Sequence, residues 1–285
     1  MIPAAFEYVR AASLRDALTA LAAEDGTKVL AGGHSLLPMM KFRLAQPGRL
    51  VDIAHLGELR GVTEHRRGAR IGAATTYRDL LDSDLLRERF PIIAEATKSI
   101  GDVQVRNRGT VGGSLAHADP ASDMPAVMLA LDATFTLRSK SGRRSVKARE
   151  FFKGPFSTDL KENELLIDIV LPPLPKGAGT AYVSFDQAAS GYAIAAAAAV
   201  VALSRKTVKQ AAVALTGLAD VARMVSAADQ LVGTKGEPDA IRKVAAAAPE
   251  GVEINGDIHA PAEYRRHLVT VAVRDAVTKA LERAR

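Results

Sequence analysis

Two glycine pairs, which begin at Gly32 and Gly112, stand in similar surroundings eighty residues apart. The first follows the apolar run Lys28-Val-Leu-Ala and precedes His-Ser-Leu, and the second follows Thr110-Val and precedes Ser-Leu-Ala. Because glycine lacks a Cβ and can adopt positive φ, the backbone at such a pair can approach a ligand closely and turn successive N–H groups into one anion-binding concavity. We expect each pair to close a short β-type run and the two loops to hold the two phosphates of a dinucleotide. The alternative is that each pair forms only a turn.

Other classes of site lack the residues they need. Neither pair forms the G-x-G-x-x-G fingerprint or a Walker loop, so Rossmann and P-loop folds have no support. Neither serine beside the pairs stands in a G-x-S-x-G elbow, which disfavours a hydrolase. His117 and Asp119 are close in sequence, but two metal ligands without a third make a weak site. We therefore predict no metal.

The polar residues near the pairs leave alternatives open. His34 could donate to a phosphate, carry a covalent flavin bond or only shape the turn. The hydroxyls of Ser35 and Thr110 could cap the segments that follow them and also donate to a phosphate. Asp119 and Asp123 could simply begin a turn and a helix, or one of them could accept from sugar or ribityl hydroxyls.

The composition is that of an ordinary globular protein of 285 residues, with 48% apolar and 25% charged residues. The chain has no cysteine, which excludes disulfides, thiolate catalysis and cysteine-ligated zinc or iron–sulfur clusters within it. A net charge of +6 with scattered basic residues, only 5% aromatic residues and no tryptophan argues against nucleic-acid binding. Because we find neither a signal-type N-terminus nor an apolar run long enough to span a membrane, we expect a cytoplasmic protein with no transmembrane segment.

The hydrophobic pattern of the first part predicts a mixture of strands and helices. Strands are expected over 27–31, 50–53, 69–74 and 165–171, with a hairpin over 133–148. Helices are expected over 13–24, 77–86, 91–100 and 122–131. The segment 101–109 is expected as a loop, either merely solvated or with Gln104 and Asn107 directed at a heterocycle.

The stretch Pro172-Pro-Leu-Pro-Lys-Gly-Ala-Gly179 is rich in proline and glycine and is typical of a linker. We predict a domain boundary there, between residues 1–176 and 177–285. The second part is rich in alanine. It predicts a strand over 180–185 and helices over 221–231, 239–248 and 262–284, whereas 192–203 and 209–218 fit either a helix or a strand.

Two segments resemble the FAD motifs of the flavin subunits of molybdenum hydroxylases. These are Ala31-Gly-Gly-His-Ser-Leu-Leu-Pro-Met-Met-Lys-Phe-Arg-Leu44 and Gln104-Val-Arg-Asn-Arg-Gly-Thr-Val-Gly-Gly-Ser-Leu-Ala-His-Ala-Asp-Pro-Ala-Ser-Asp123. Segments 71–76 and 151–156 also look like the family. The resemblance covers nearly the whole chain and is nearest to medium subunits of the carbon monoxide dehydrogenase type.

The resemblance implies an α+β fold in two domains. Residues 1–176 would form a two-lobed FAD-binding domain of the vanillyl-alcohol-oxidase (PCMH) type. Residues 177–285 would form a smaller α+β domain with a three-stranded antiparallel sheet and helices, which favours strands over 192–203 and 209–218.

The resemblance also implies non-covalent FAD. Residues 31–35 and 110–114 would wrap the pyrophosphate, Asp123 would lie near the ribityl chain, Leu166 or Ile167 on the adenine side, and Tyr192 close to the flavin ring. The implied cofactor-binding residues are Lys28, Ala31, Gly32, Gly33, His34, Ser35, Leu36, Thr110, Gly112, Gly113, Ser114, Ala116, Asp123, Leu166, Ile167 and Tyr192. Relatives usually have a basic residue before the aromatic one, whereas this chain has Asp186-Gln-Ala-Ala-Ser-Gly191, so either a lower flavin reduction potential or a weaker flavin semiquinone is expected.

As a flavin subunit of this kind, the chain would pass electrons from [2Fe–2S] clusters on a small partner, through FAD, to an external acceptor. A molybdopterin-binding large partner would oxidise the substrate, in a dimer of heterotrimers, so no catalytic side chain is expected here. Two other functions stay open: a self-contained flavin oxidase with its own substrate pocket, and a non-enzymatic anion-binding protein.

Overall fold

The computed structural model describes residues 1–284, which fold into two lobes and a C-terminal α+β unit. The strands are β1 (Glu7–Arg10), β2 (Lys28–Leu30), β3 (Arg49–Asp52), β4 (Val62–His65), β5 (Gly68–Gly72), β6 (Thr134–Arg138), β7 (Arg143–Lys147), β8 (Phe152–Gly154), β9 (Ser157–Thr158), β10 (Leu165–Leu171), β11 (Ala178–Asp186), β12 (Ala193–Ser204), β13 (Thr207–Thr216) and β14 (Arg223–Met224). The α-helices are α1 (Leu14–Leu21), α2 (Leu36–Lys41), α3 (Tyr77–Asp82), α4 (Asp84–Arg89), α5 (Pro91–Ser99), α6 (Val103–Arg108), α7 (Val111–His117), α8 (Asp123–Ala130), α9 (Ala148–Phe151), α10 (Pro238–Ala247) and α11 (Ala262–Arg283). Two 3₁₀ helices cover Gly57–Leu59 and Ser226–Leu231.

The first lobe is a parallel sheet of order β1-β3-β2 covered by α1. The helix begins as its sequence predicts, because the Ser13 hydroxyl accepts from the Asp16 N–H at 3.1 Å. Its buried face, which includes Leu14 and Leu18, packs with Val51 of the central strand. The sheet thus ends at β2, directly before the first glycine pair.

The second lobe is an antiparallel sheet of order β4-β5-β10-β6-β7, with helices against one face. The single helix predicted over 77–86 is wrong: α3 ends at Asp82, and a new helix starts after Ser83. Ser83 is extended (ψ 112°), and its hydroxyl accepts from the Leu86 N–H, so this residue is the N-cap of α4.

The segment before and through the second glycine pair is helical, which corrects two predictions. Residues 103–108 form α6, whose N-cap Asp102 accepts from the Val105 N–H at 2.8 Å. Gly112 and Gly113 lie in the first turn of α7 rather than at the end of a strand. The two glycine pairs therefore belong to different kinds of local structure.

The C-terminal unit is an antiparallel sheet of order β11-β12-β13-β14. It has three long strands, and β14 is a two-residue strand at its edge. The alanine run is strand β12, which is buried on both faces: Ala196 and Ala198 face the second lobe, whereas Ala197 and Ala199 face α11. Small side chains let helices approach both faces of this strand closely.

Helices α10 and α11 cover the outer face of that sheet. The backbones are close at Gly179, where a Cβ would lie 2.0 Å from the Ala280 carbonyl oxygen. The helix predicted over 221–231 is wrong, because Met224 pairs with Ala214 as β14 and only 226–231 form 3₁₀ turns. Strand β11 starts at Ala178, inside the stretch expected as a linker.

Candidate cofactor-binding site

A cleft of about 1160 Å³ lies between the two lobes and is closed on one side by the C-terminal unit. Every cofactor-binding residue expected from the sequence lines this cleft except Ile167. The residues that do so are Lys28, Ala31, Gly32, Gly33, His34, Ser35, Leu36, Thr110, Gly112, Gly113, Ser114, Ala116, Asp123, Leu166 and Tyr192. Gln104 and Asn107 are exposed on α6 and are not among the lining residues, which favours the solvated alternative for this segment.

The first glycine pair provides unpaired backbone donors. In residues 1–284, the N–H groups of Gly32, Gly33, His34 and Ser35 donate to no protein acceptor. Gly33 has φ +81°, a conformation that L side chains adopt only with strain. Four successive free N–H groups beside an open cleft are what a backbone anion site requires.

The second glycine pair differs, since its backbone donors are already used. The Val111 and Gly112 N–H groups donate to the carbonyls of Thr75 and Ala73, at 3.1 and 2.9 Å. The Gly113 N–H donates to the Thr110 hydroxyl at 3.2 Å. The expectation that both pairs point free N–H groups at an anion therefore holds only for the first pair.

The space that a Cβ would occupy differs among the glycines of the two pairs. A Cβ on Gly32 would lie 2.3 Å from the Arg108 carbonyl oxygen, and one on Gly112 would lie 2.4 Å from the Ala73 Cβ, so these two residues allow the chain to pack on itself. A Cβ on Gly113 would meet only the Thr110 side chain. The rest of the space around Gly113 is open, which makes it the glycine that keeps room for a ligand.

Half-buried polar side chains lie on the α7 side of the cleft. The hydroxyls of Ser114 and Ser122 are 2.7 Å apart. The His117 ring packs on Phe156, with their centroids 5.0 Å apart. Burial lowers the pKa of His117, which favours the neutral imidazole, and the nearby Asp119 opposes this shift.

Asp123 begins α8 at the floor of the cleft and is only 4% exposed. Burial raises the pKa of this carboxyl to about 7, although the Tyr182 hydroxyl donates to its Oδ1 at 2.5 Å and opposes the shift. Tyr182 lies on β11, so the C-terminal unit reaches the cleft here. A buried carboxyl that titrates near neutrality is typical of a functional site.

Tyr192 lies at the mouth of the cleft, in the short connection between β11 and β12. It is 46% exposed, and the turn is closed by the Gln187 N–H, which donates to the Tyr192 carbonyl at 2.8 Å. Partial burial raises the pKa of Tyr192, and Asp119 and Asp123 add to the shift. The turn itself carries no basic residue.

Strand β10 separates the two residues expected on the adenine side. Leu166 lines the cleft, whereas Ile167 is buried in the core of the first lobe, and its carbonyl accepts from the Ala73 N–H at 3.0 Å. Leu165 also lines the cleft, and the pairing of β10 with β6 shifts register between Leu166 and Asp168.

Sequence reasoning missed two residues that form or support this site. Phe156 lines the cleft beside His117, and Tyr182 binds Asp123 from another domain. Phe156 stands in the segment 151–156 that resembles the family, so the sequence could have pointed to it. Nothing in the sequence pattern distinguishes Tyr182 from other aromatic residues in strands.

Within 1–284, no three His, Cys, Asp or Glu side chains come together as metal ligands. None of the helices in that range combines the length and the apolar character needed to cross a membrane.

Comparison with known families matches both parts of the chain. Residues 4–174 match the FAD binding domain in molybdopterin dehydrogenase, and residues 180–280 match the CO dehydrogenase flavoprotein C-terminal domain. The fold and the cleft are thus those of a flavoprotein subunit. The chain belongs to this family of oxidoreductase medium chains, and the predicted α+β class and the FAD cofactor are confirmed.

Full-length relatives support the same assignment. The chain is 41% identical to the glyceraldehyde dehydrogenase medium chain of Sulfolobus acidocaldarius, over 97% of this chain and 98% of the relative. It is also 41% identical to the carbon monoxide dehydrogenase medium chain of Hydrogenophaga pseudoflava, over 99% of both. A solved structure of carbon monoxide dehydrogenase from that organism, which lacks the Mo-pyranopterin moiety of the molybdenum cofactor, superposes with a TM-score of 0.97 at 40% identity over 100% of both chains.

Proposed function

We propose that the chain binds FAD in the cleft between its lobes and passes electrons from a [2Fe–2S] partner to an external acceptor. The main support for this proposal is that the four successive backbone N–H groups of residues 32–35 are unpaired and border a cleft large enough for a dinucleotide. Negative phosphate oxygens would satisfy donors that the protein leaves free.

The other lining residues divide the cleft into regions that suit the parts of FAD. The diphosphate would lie between residues 31–35 and the open side of Gly113. Asp123 would accept from ribityl hydroxyls, Leu166 would contact the adenine side, and Tyr192 would lie beside the flavin ring. When bound, FAD would supply the redox chemistry, and this chain would bind it, orient it and limit its exposure to water.

The assembly is part of the proposal. A molybdopterin-binding large chain would oxidise the substrate, and a small chain would hold the clusters that this cysteine-free chain cannot ligate. Two relatives at the same 41% identity carry the names of a glyceraldehyde and a carbon monoxide dehydrogenase, which agrees with a substrate chosen on another chain. We propose a dimer of such heterotrimers, which the mass of the co-expressed complex would test.

A domain boundary at residues 176 and 177 also belongs to the proposal. The chain leaves β10 at Leu171 and enters β11 at Ala178, and three prolines lie between the two strands. Limited proteolysis should therefore cut first within 172–177, and a first cut inside β11 or β10 would contradict the boundary.

The purified chain should contain about one equivalent of FAD that is released on denaturation. The measurement is the visible flavin spectrum before and after removal of the denatured protein. Release of free FAD is the expected result. Colour that stays with the denatured chain would support covalent attachment and a self-contained oxidase, and a colourless chain that takes up no added FAD would support the anion-binding alternative.

His34→Ala should keep FAD within about threefold of the wild-type affinity. The side chain is exposed, and the phosphate contacts assigned to this residue come from its backbone, which alanine retains. Isothermal titration of the apoprotein with FAD measures the effect. A loss of more than about a hundredfold would mean that the imidazole itself binds the cofactor.

A further inference from the structure

The loop that joins α7 to α8, residues 118–122, is bound on its outer side by the C-terminal sheet. The Thr216 hydroxyl lies 3.0 Å from the Pro120 carbonyl oxygen and 2.8 Å from that of Ser122, so one donor is shared between two acceptors. The Gly217 N–H donates to the same Pro120 carbonyl at 3.0 Å. Thr216 is 1% exposed, so these bonds are made away from water.

This loop leads directly into the residues that form the floor of the cleft. It contributes Asp119 and Ser122 to the lining and ends at Asp123. The Asp123 carboxylate is fixed from the same side, because Tyr182 of β11 donates to it. Two residues of the C-terminal sheet therefore hold the loop and its carboxylate in place.

We propose that Thr216 and Tyr182 are positioning residues for FAD: Thr216 sets the course of the 118–122 loop, and Tyr182 orients the Asp123 carboxylate toward the ribityl hydroxyls. The inference rests on the proposed function. It gives the C-terminal domain a role in building a binding site that lies mainly in the FAD-binding domain.

The surroundings of Asp123 explain why a donor is needed there. The ionisable groups that face the carboxyl are Tyr182, Asp186, Tyr77 and Tyr192, and none of them is a cation. Burial and Asp186 both raise the pKa of Asp123, whereas the Tyr182 hydroxyl is the side-chain group that lowers it. Without that hydroxyl, the charged form of Asp123 would lose its main stabilising contact.

Thr216→Val and Thr216→Ser test the loop contact. Valine keeps the shape of the side chain and removes the donor, so FAD should bind about tenfold more weakly to the valine variant, and serine should restore binding to within about threefold. The measurement is fluorescence titration of the full apoprotein with FAD. Equal affinity of the valine and wild-type proteins would overturn the role of Thr216.

Tyr182→Phe tests the carboxylate contact through pH. Ribityl hydroxyls donate to the ionised carboxylate, so wild-type affinity should rise with pH up to about 7 and then level off. Removing the tyrosine hydroxyl raises the pKa of Asp123 further, and the midpoint of this rise should move up by about one pH unit. An unchanged midpoint, with or without a uniform loss of affinity, would overturn the role of Tyr182.

Different results would rule out FAD binding itself and the positioning roles of Thr216 and Tyr182. If the wild-type chain binds no FAD at any pH, the proposed function is wrong. If the wild-type chain binds FAD and both variants match it in affinity and pH midpoint, only the positioning roles are wrong. Thermal unfolding of each apoprotein shows whether a variant is folded, and the serine variant gives a folded reference that keeps the Thr216 hydroxyl.

Discussion

Gly113→Ala should weaken FAD binding by about tenfold to a hundredfold, and Gly113→Val should abolish it, while both proteins stay folded. The new Cβ would lie 2.7 Å from the Thr110 hydroxyl oxygen but otherwise beside open space, where the diphosphate is proposed to lie, and displacing a ligand from a packed contact costs about 1–3 kcal/mol. The Cβ would displace the Thr110 hydroxyl, which caps α7, so the free energy of unfolding should fall by about 0.5–2 kcal/mol. FAD titration and thermal unfolding of the apoprotein measure the two effects.

Neighbouring glycines provide the controls for this experiment. Gly112→Ala should lower the stability of the protein itself, because its Cβ would collide with Ala73. Gly142→Ala, in the β6–β7 turn with nothing within 4 Å of the added atom, should change neither stability nor binding. Gly33→Val should also abolish binding, but it combines a strained φ with contact to Leu37. Full FAD binding by Gly113→Val would show that the cofactor does not pass this surface.

Asp123→Asn should make the apoprotein more stable at neutral pH and bind FAD more weakly. The folded-state pKa of about 7 lies above the ordinary value of 3.8, so between these pH values the folded state keeps a proton that the unfolded state has lost. Raising the pH through this window therefore destabilises the wild-type protein, by up to about 1.4 kcal/mol per pH unit. Below about pH 4 both states are protonated and the cost is absent, whereas above about pH 7 it is complete.

The free energy of unfolding of the two apoproteins, measured from pH 5 to 8, checks this prediction. The asparagine variant should be about 2–4 kcal/mol more stable at pH 8, and the difference should shrink as the pH falls. Its affinity for FAD should drop about tenfold or more, since a charge-assisted hydrogen bond is lost. If the variant is less stable than the wild type at pH 8, the ionised carboxylate of Asp123 does not destabilise the folded protein, and this prediction is wrong.

The two glycine motifs predicted the position of the cleft from the sequence, because these distant segments come together in the fold and both line the cleft. Gly32 packs on the backbone at Arg108, a contact between the two motifs that no local pattern predicts. The helical state of the second pair was not predictable in the same way. Its N–H groups are satisfied by carbonyls of Thr75 and Ala73, more than thirty residues earlier, and this pairing is decided by tertiary contact.

The alanine-rich strand shows how burial overrides propensity. Alanine favours helix in isolation, yet residues 193–204 pair with β11 and β13 along their length. Both faces are covered, and the buried residues 195–202 at the centre of the strand are all alanine or valine, which fill the available space. The family resemblance selected the strand, whereas composition alone left both alternatives open.

The support of the site by the C-terminal sheet could not be predicted from the sequence. Thr216 and Tyr182 form hydrogen bonds with residues 59–96 positions away in the sequence. The hydrophobic pattern marks each of them only as a strand residue. Hydrogen bonds over such separations depend on the register of β11 and β13, which hydrophobic periodicity does not fix across domains.

A crystal structure of the full chain grown with excess FAD would show where the diphosphate binds. We expect its oxygens within about 3 Å of the backbone nitrogens of Gly32 to Ser35, on the side that Gly113 leaves open. FAD density elsewhere on the molecule, or a cleft that stays empty at saturating cofactor, would contradict it.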